Sequence, residues 1–209
     1  MSNNKLEGPG AKQYLTLRRF ASYNSQLEEV LGFNPGSVLE IGSHLGVVTR
    51  CMRVCGINVT TLDINPECNP DVVGSVLDIP LADNSQDIVL CCEVLEHIPY
   101  EDFPRALSEI LRVCRKGAVI SLPHYGRYYS VTFKLPHIEQ LHLKIEIPYF
   151  FKNLHVYDGD HYWEIGKRGY PPERIVDEMQ KAGFNLIRRY RVPFNSYHHV
   201  FVLSKNQPG

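Results

Sequence analysis

The chain has 209 residues, with 22 Lys plus Arg against 23 Asp plus Glu and a formal net charge of -1. Hydrophobic residues make up 44% and charged residues 22%, which excludes a disordered chain and allows one domain with additions. The near-neutral balance excludes a broad electrostatic footprint for duplex nucleic acid or an anionic membrane, and no apolar run approaches the ~18 residues of a spanning helix.

MSNNKLEGPG at the N-terminus lacks an apolar signal core, so a cytoplasmic protein is expected. Cysteines at 51, 55, 68, 91, 92 and 114 form no CxxC pair and read as buried, reduced thiols. In chain order, residues 11–31 read as a helical lead-in. Tyr14, Leu17, Phe20, Leu27, Val30 and Leu31 offer its apolar face, and Gly32 with the Asn34-Pro35-Gly36 turn ends it. Residues 37–41 are a short apolar strand. A helix over 47–55 follows, with Val47, Cys51 and Val54 on one face and Gly56 just past its end. Residues 57–62 are β-branched and read as a strand ending at Asp63.

A short strand near 71–73 precedes a continuous apolar strand over 87–92, as expected where both faces are buried. The spacing predicts a helix over 102–116 stopped by Gly117, then a strand over 118–122. Residues 123–170 break the rhythm. They carry Tyr125, Tyr128, Tyr129, Phe133, Tyr149, Phe150, Phe151, Tyr157, Tyr162 and Trp163, and histidines 124, 137, 142, 155 and 161. Pro171-Pro172 opens a helix closed by Gly183, and runs at 184–191 and 198–204 can pair as a hairpin. Strands alternating with helices imply an α/β fold, a mostly parallel sheet covered on both faces, with ligands at the carboxyl ends of its strands.

Two loops carry the chemistry. Glu40-Ile41-Gly42-Ser43-His44-Leu45-Gly46 links the first strand to its helix; Gly42 permits a sharp turn and Gly46 a close approach. Asp63 ends the next strand, where a carboxylate can accept hydrogen bonds from two vicinal ribose hydroxyls. The glycines are spaced G-x-x-x-G, so the dinucleotide fingerprint is absent, as are a P-loop lysine and a YxxxK pair.

VLEIGSHLG, TLDINPE, GSVLDIPLADNSQDIVLCCEVLEHI and LRVCRKGAVISLP, in this order, resemble the class I S-adenosylmethionine-dependent methyltransferases over about residues 37–122. The resemblance implies a Rossmann-like, doubly wound, seven-stranded, mostly parallel sheet with an antiparallel C-terminal strand. It divides the chain into a lead-in over 1–36 and a methyltransferase domain over 37–209, with a substrate cap inserted at about 123–170. It also implies S-adenosylmethionine as cofactor and S-adenosylhomocysteine as product. Glu40, Gly42 and Gly46, with Ser43 and His44 between them, match the motif against the methionine part. His44 replaces the family's usual middle glycine. Asp63 matches the ribose-binding acid and Ile64 its neighbour beside the adenine. Asp78 and Ile79 match the residues whose carboxylate and amide meet the adenine. Cys92 and Glu93 match the end of the strand beside the sulfonium.

Glu93, Glu96 and His97 recur at i, i+3 and i+4, so on a helical turn they share one face that can ligate a divalent cation. A similar Glu-x-x-Glu-His element occurs in ubiquinone-pathway O-methyltransferases and in small-RNA 2′-O-methyltransferases, where a later histidine completes the site. His161 is placed like that histidine, and the implied ion is magnesium or a similar one. In metal-free members Glu96 and His97 only hold the loop. Then His97, His124 and His161 are the candidate bases.

The leading reading is methyl transfer to a small-molecule acceptor, at oxygen. Two alternatives stay open: RNA 2′-O-methylation, which a basic face around Arg188, Arg189 and Arg191 would favour, and a non-catalytic cofactor-binding partner subunit. The aromatics of 123–170 wall an acceptor, pack the cap, or form a homodimer interface. Tyr14, Arg18 and Arg19 either close over the cofactor or sit on a solvated helix face, the favoured expectation.

Overall fold

The computed structural model describes residues 11–126, 128–133, 141–146, 154–157 and 159–206. The first full helix, α1 (Leu17–Gly32), starts at Thr16, whose side chain accepts the Arg19 amide at 3.4 Å. Then come β1 (Ser37–Ile41), α2 (Val47–Val54), β2 (Asn58–Asp63), β3 (Val72–Val73), β4 (Gln86–Cys92), α3 (Phe103–Val113) and β5 (Cys114–Pro123). A ribbon of β6 (Tyr128–Phe133) and β7 (Leu141–Glu146) precedes α4 (Pro172–Lys181), β8 (Phe184–Val192) and β9 (Asn195–Lys205).

Seven strands form one sheet in the order β3-β2-β1-β4-β5-β9-β8, and β6 and β7 pair separately. Pairing is parallel from β3 through β5, and β9 runs antiparallel to both β5 and β8. This is the expected α/β architecture with an antiparallel C-terminal strand. One face packs Leu107, Ile110, Ile175 and Met179 from α3 and α4; the other packs Val30, Val48 and Met52 from α1 and α2. Among the described residues, no helix is long and apolar enough to cross a membrane.

Three local expectations change. Gly117 does not stop α3 but lies inside β5, opposite Ser204. A Cβ there would stand 2.0 Å from the Leu203 carbonyl oxygen, so the glycine serves the close approach of β9.

On α2 the inward residues are Val48, Thr49 and Met52, and Val54 is 89% exposed. The buried face is displaced from the Val47-Cys51-Val54 stripe, which leaves Cys51 and Cys55 exposed rather than buried. On α1 the buried residues are Ser22, Ser25, Gln26, Glu29 and Val30, whereas Leu17, Phe20 and Leu31 are exposed. Polar partners on the hairpin account for this. Glu29 accepts from Arg188 and from the Tyr190 hydroxyl, and Asn195 donates to Ser22 Oγ at 2.8 Å.

Of the aromatic segment, Trp163 is fully buried and packs edge-on against Phe103 and Tyr100 as part of the core. Tyr129, Tyr157 and Tyr162 are exposed. His137, Tyr149, Phe150 and Phe151 lie outside the described residues.

Candidate cofactor and metal site

The strand order reverses direction between β1 and β4, and a cavity of about 540 Å³ opens at the carboxyl ends of these strands and β2. Gly42 turns the chain out of β1 at φ 74°, and its amide donates to the Leu62 carbonyl at 2.8 Å. His44 adopts φ 44° and lays its ring against Tyr14, with centroids 4.5 Å apart, so this side chain sits exposed on the cavity rim. Glu40 is buried and accepts the Thr49 hydroxyl. Burial pushes its carboxyl up to about 7, against the lowering effect of the Thr49 bond. Asp63, at the end of β2, lines the cavity beside Ile64 and accepts the Asn65 amide at 2.9 Å.

Glu40, Gly42, Ser43, His44, Asp63, Ile64, Cys92 and Glu93 all meet on this cavity. Gly46, at φ 66°, is the residue before α2 and stands outside the lining. Asp78 and Ile79 also stand outside it; Gly74, Ser75 and Val76 form that part of the wall. Ile79 is buried in the core and its amide donates to Glu109 Oε2 at 2.8 Å. That amide is therefore already engaged, contrary to the sequence expectation.

Glu96, His97 and His161 converge at one end of the cavity. His97 Nε2 and His161 Nε2 lie 3.9 and 4.0 Å from Glu96 Oε1. Glu96 is 0% exposed, and among the described residues neither of its oxygens has a hydrogen-bond partner. Burial, with Glu93 next, pushes its carboxyl upward. Glu93 does not join this cluster. Its Oε1 accepts the Ser121 hydroxyl at 2.7 Å and its Oε2 is 3.6 Å from His198 Nε2; burial raises this carboxyl too.

His124 is a correction. It is buried, its Nδ1 stands 2.8 Å from His199 Nδ1, and it borders a separate cleft near Arg189. Of the three candidate bases, only His97 and His161 reach the main cavity.

Several lining residues were missed. Tyr197 and His198 come from β9, where His198 pairs with Pro123 at the end of β5. The signal available was the hairpin itself, whose return brings residues near 198 to the rim. Burial holds the His198 imidazole down at about 3, and the nearby Arg19 lowers it further. Tyr14, Arg19, Tyr23 and Gln26 also line the cavity, so this part of the lead-in covers it rather than facing solvent; Arg18 is exposed and does not line it. The three arginines of β8 form no open basic face. Arg188 pairs with Glu29, Arg189 with Glu173, and Arg191 donates to the carbonyls of Ser196 and His124.

Residues 39–122 match the family described as "Methyltransferase domain". Over this stretch the chain is similar to that family. Its seven-stranded sheet has the fold of solved methyltransferase structures. The chain is 34% identical over 94 residues to the malonyl-[acyl-carrier protein] O-methyltransferase of Pectobacterium atrosepticum. It is 32% identical over 107 residues to the same-named protein of Serratia marcescens. These matches cover 40% and 44% of the chain but only 36% and 41% of the relatives' own lengths.

Among solved structures, the N-methyltransferase NodS of Bradyrhizobium japonicum, in complex with S-adenosylhomocysteine, superposes with TM-score 0.66 at 11% identity, covering 97% of this chain and 95% of that one. The 1,6-didemethyltoxoflavin-N1-methyltransferase of Burkholderia thailandensis gives 0.61 at 17% identity, covering 91% and 78%. At these identities the likeness is one of fold.

Proposed function

We propose that the chain is an S-adenosylmethionine-dependent methyltransferase that transfers the methyl group to an oxygen of a small-molecule acceptor. The observation that carries this reading is a single cavity joining the glycine turn and Asp63 to a buried carboxylate flanked by two imidazoles. Arg19 is the only Arg or Lys among the described lining residues and faces Asp63 and Asp160, while burial favours the protonated forms of Glu40, Glu93 and Glu96; the remaining balance still suits a cationic ligand such as a sulfonium. The oxygen acceptor draws support from the matched relatives, named O-methyltransferases. A cytoplasmic setting would keep the exposed Cys51 and Cys55 thiols reduced.

In this reading the cofactor, when bound, supplies a methyl group already electrophilic on sulfur. The backbone around Gly42 would hold its amino-acid part, Asp63 would accept from the ribose hydroxyls, and Glu93 would line the sulfonium end. Tyr14 and Arg19 close over the site and help exclude water. In this reading the methyltransferase domain spans residues 37–209, the 1–36 lead-in supplies the cover through Tyr14, Arg19, Tyr23 and Gln26, and the acceptor cap is the insertion at about 123–170.

We also assign Glu96, His97 and His161 as ligands of a divalent ion. The unpartnered, buried Glu96 carboxylate fits this role, because a cation would satisfy it. The present separations are wider than those between neighbouring ligands at ~2.0–2.1 Å from an ion, so the three side chains would have to move together to hold one. Two imidazoles and one carboxylate suit manganese, iron or zinc better than magnesium. The ion would act as a Lewis acid toward an acceptor hydroxyl. His97 and His161 are otherwise the bases within reach of the cavity.

Incubation of the purified chain with methyl-labelled cofactor and a panel of hydroxyl, carboxyl and amine acceptors tests the reading. Label on oxygen, reduced by His97→Ala and by chelator, is expected. Label confined to nitrogen would overturn the oxygen acceptor, and cofactor binding without label on any acceptor would overturn the enzymatic reading.

A further inference from the structure

One short segment, residues 160–164, anchors both imidazoles. The Tyr162 amide donates to the Glu96 carbonyl at 2.8 Å and the Trp163 indole to the Ile98 carbonyl at 3.2 Å, so the segment is docked on the turn that bears Glu96 and His97. Asp160 takes His97, whose Nδ1 is 3.0 Å from its carbonyl oxygen and 3.0 Å from its Oδ1. Glu164 takes His161, with Oε1 3.0 Å from Nδ1. The same Oε1 accepts the Tyr197 hydroxyl, from β9, at 2.6 Å. Glu164 is only 7% exposed, and burial and Glu164 push the Tyr197 phenol up, so it stays a donor. An acceptor at Nδ1 keeps the proton on that nitrogen, which leaves each ring a lone pair on Nε2; these nitrogens lie 3.9 and 4.0 Å from Glu96 Oε1, and that of His161 also lies 3.8 Å from Asp160 Oδ2.

We infer that Glu164 is a positioning residue: held by Tyr197, it fixes the tautomer and rotation of His161 so that Nε2 is presented, with Glu96 and His97, as a metal ligand. The inference rests on the metal reading above. A carboxylate on the far nitrogen both orients the imidazole and makes its ligating nitrogen more basic. Tyr197 gives Glu164 a second anchor from a different strand, so the carboxylate cannot swing away with the 160–164 segment alone.

The test is a calorimetric titration of manganese(II) alone into the chelator-stripped full chain. Glu164→Gln should weaken manganese binding roughly 10–100-fold, with the melting midpoint and S-adenosylhomocysteine affinity close to wild type. A merely structural role would lower the melting midpoint and leave the ion affinity unmoved. Tyr197→Phe keeps the carboxylate and removes its anchor; it should weaken the ion by a smaller factor, and it carries the test if Glu164→Gln does not fold. Wild-type binding that neither variant weakens overturns this inference alone. No manganese binding by the wild type overturns the metal reading and the inference with it.

Discussion

The Cβ that Gly42 lacks would stand 2.4 Å from Val94 Cγ2, so the cavity-side turns after β1 and β4 are packed against each other. Gly42 also needs its φ of 74°. Two constraints thus act on one residue, and they separate by mutation. Gly42→Ala should destabilise the chain by about 2–5 kcal/mol, the sum of left-handed strain and overpacking. Adding Val94→Ala should recover the packing part and leave the backbone part. Equal melting midpoints for the single and double variants would show that Val94 does not constrain the turn.

Glu40 gives stability a pH dependence of known sign. Its folded carboxyl titrates at about 7 against an ordinary 4.5, so the folded state holds the proton more tightly. The resulting stability is present below about 4.5 and is lost as pH rises through about 7, at up to roughly 1.4 kcal/mol per pH unit. Glu40→Gln removes this effect and can still accept from Thr49. It should melt above wild type at mildly alkaline pH, with the gap closing toward mildly acidic pH. Parallel melting profiles for the two proteins would contradict the assignment.

His124 separates packing from site chemistry. It lies off the main cavity against His199, so His124→Phe should cost about 1–3 kcal/mol for the partner left unmatched. Affinity for S-adenosylhomocysteine should stay within about twofold of wild type, less than ~0.4 kcal/mol. A tenfold loss of affinity at unchanged stability would return His124 to the site.

The sheet was legible because β1, β4 and β5 are buried on both faces and read as unbroken apolar runs, with turn residues between them. The glycine loop was legible for a related reason, since its glycines and Asp63 must follow strand ends. What escaped depends on contacts between distant segments. Gly117 looks like a helix stop until β9 is seen at its α-carbon. The lead-in helix reads as burying its leucines until Glu29 is paired with Arg188 and Tyr190. His198 and Tyr197 reach the cavity only through the antiparallel return of β9, and Glu164 acquires its place only when that strand supplies Tyr197. Local patterning carries no record of those pairings.

The central claim is that this cavity holds the cofactor by Asp63, and calorimetric titration of S-adenosylhomocysteine into wild type and Asp63→Ala tests it most directly. Asp63 is half-buried and its side chain accepts only a local turn amide, so its loss should leave the fold intact. The account predicts one site per chain in the wild type and at least about tenfold weaker binding in the variant, about 1.4 kcal/mol or more. No binding to a folded wild type, or equal binding by both proteins, would contradict it.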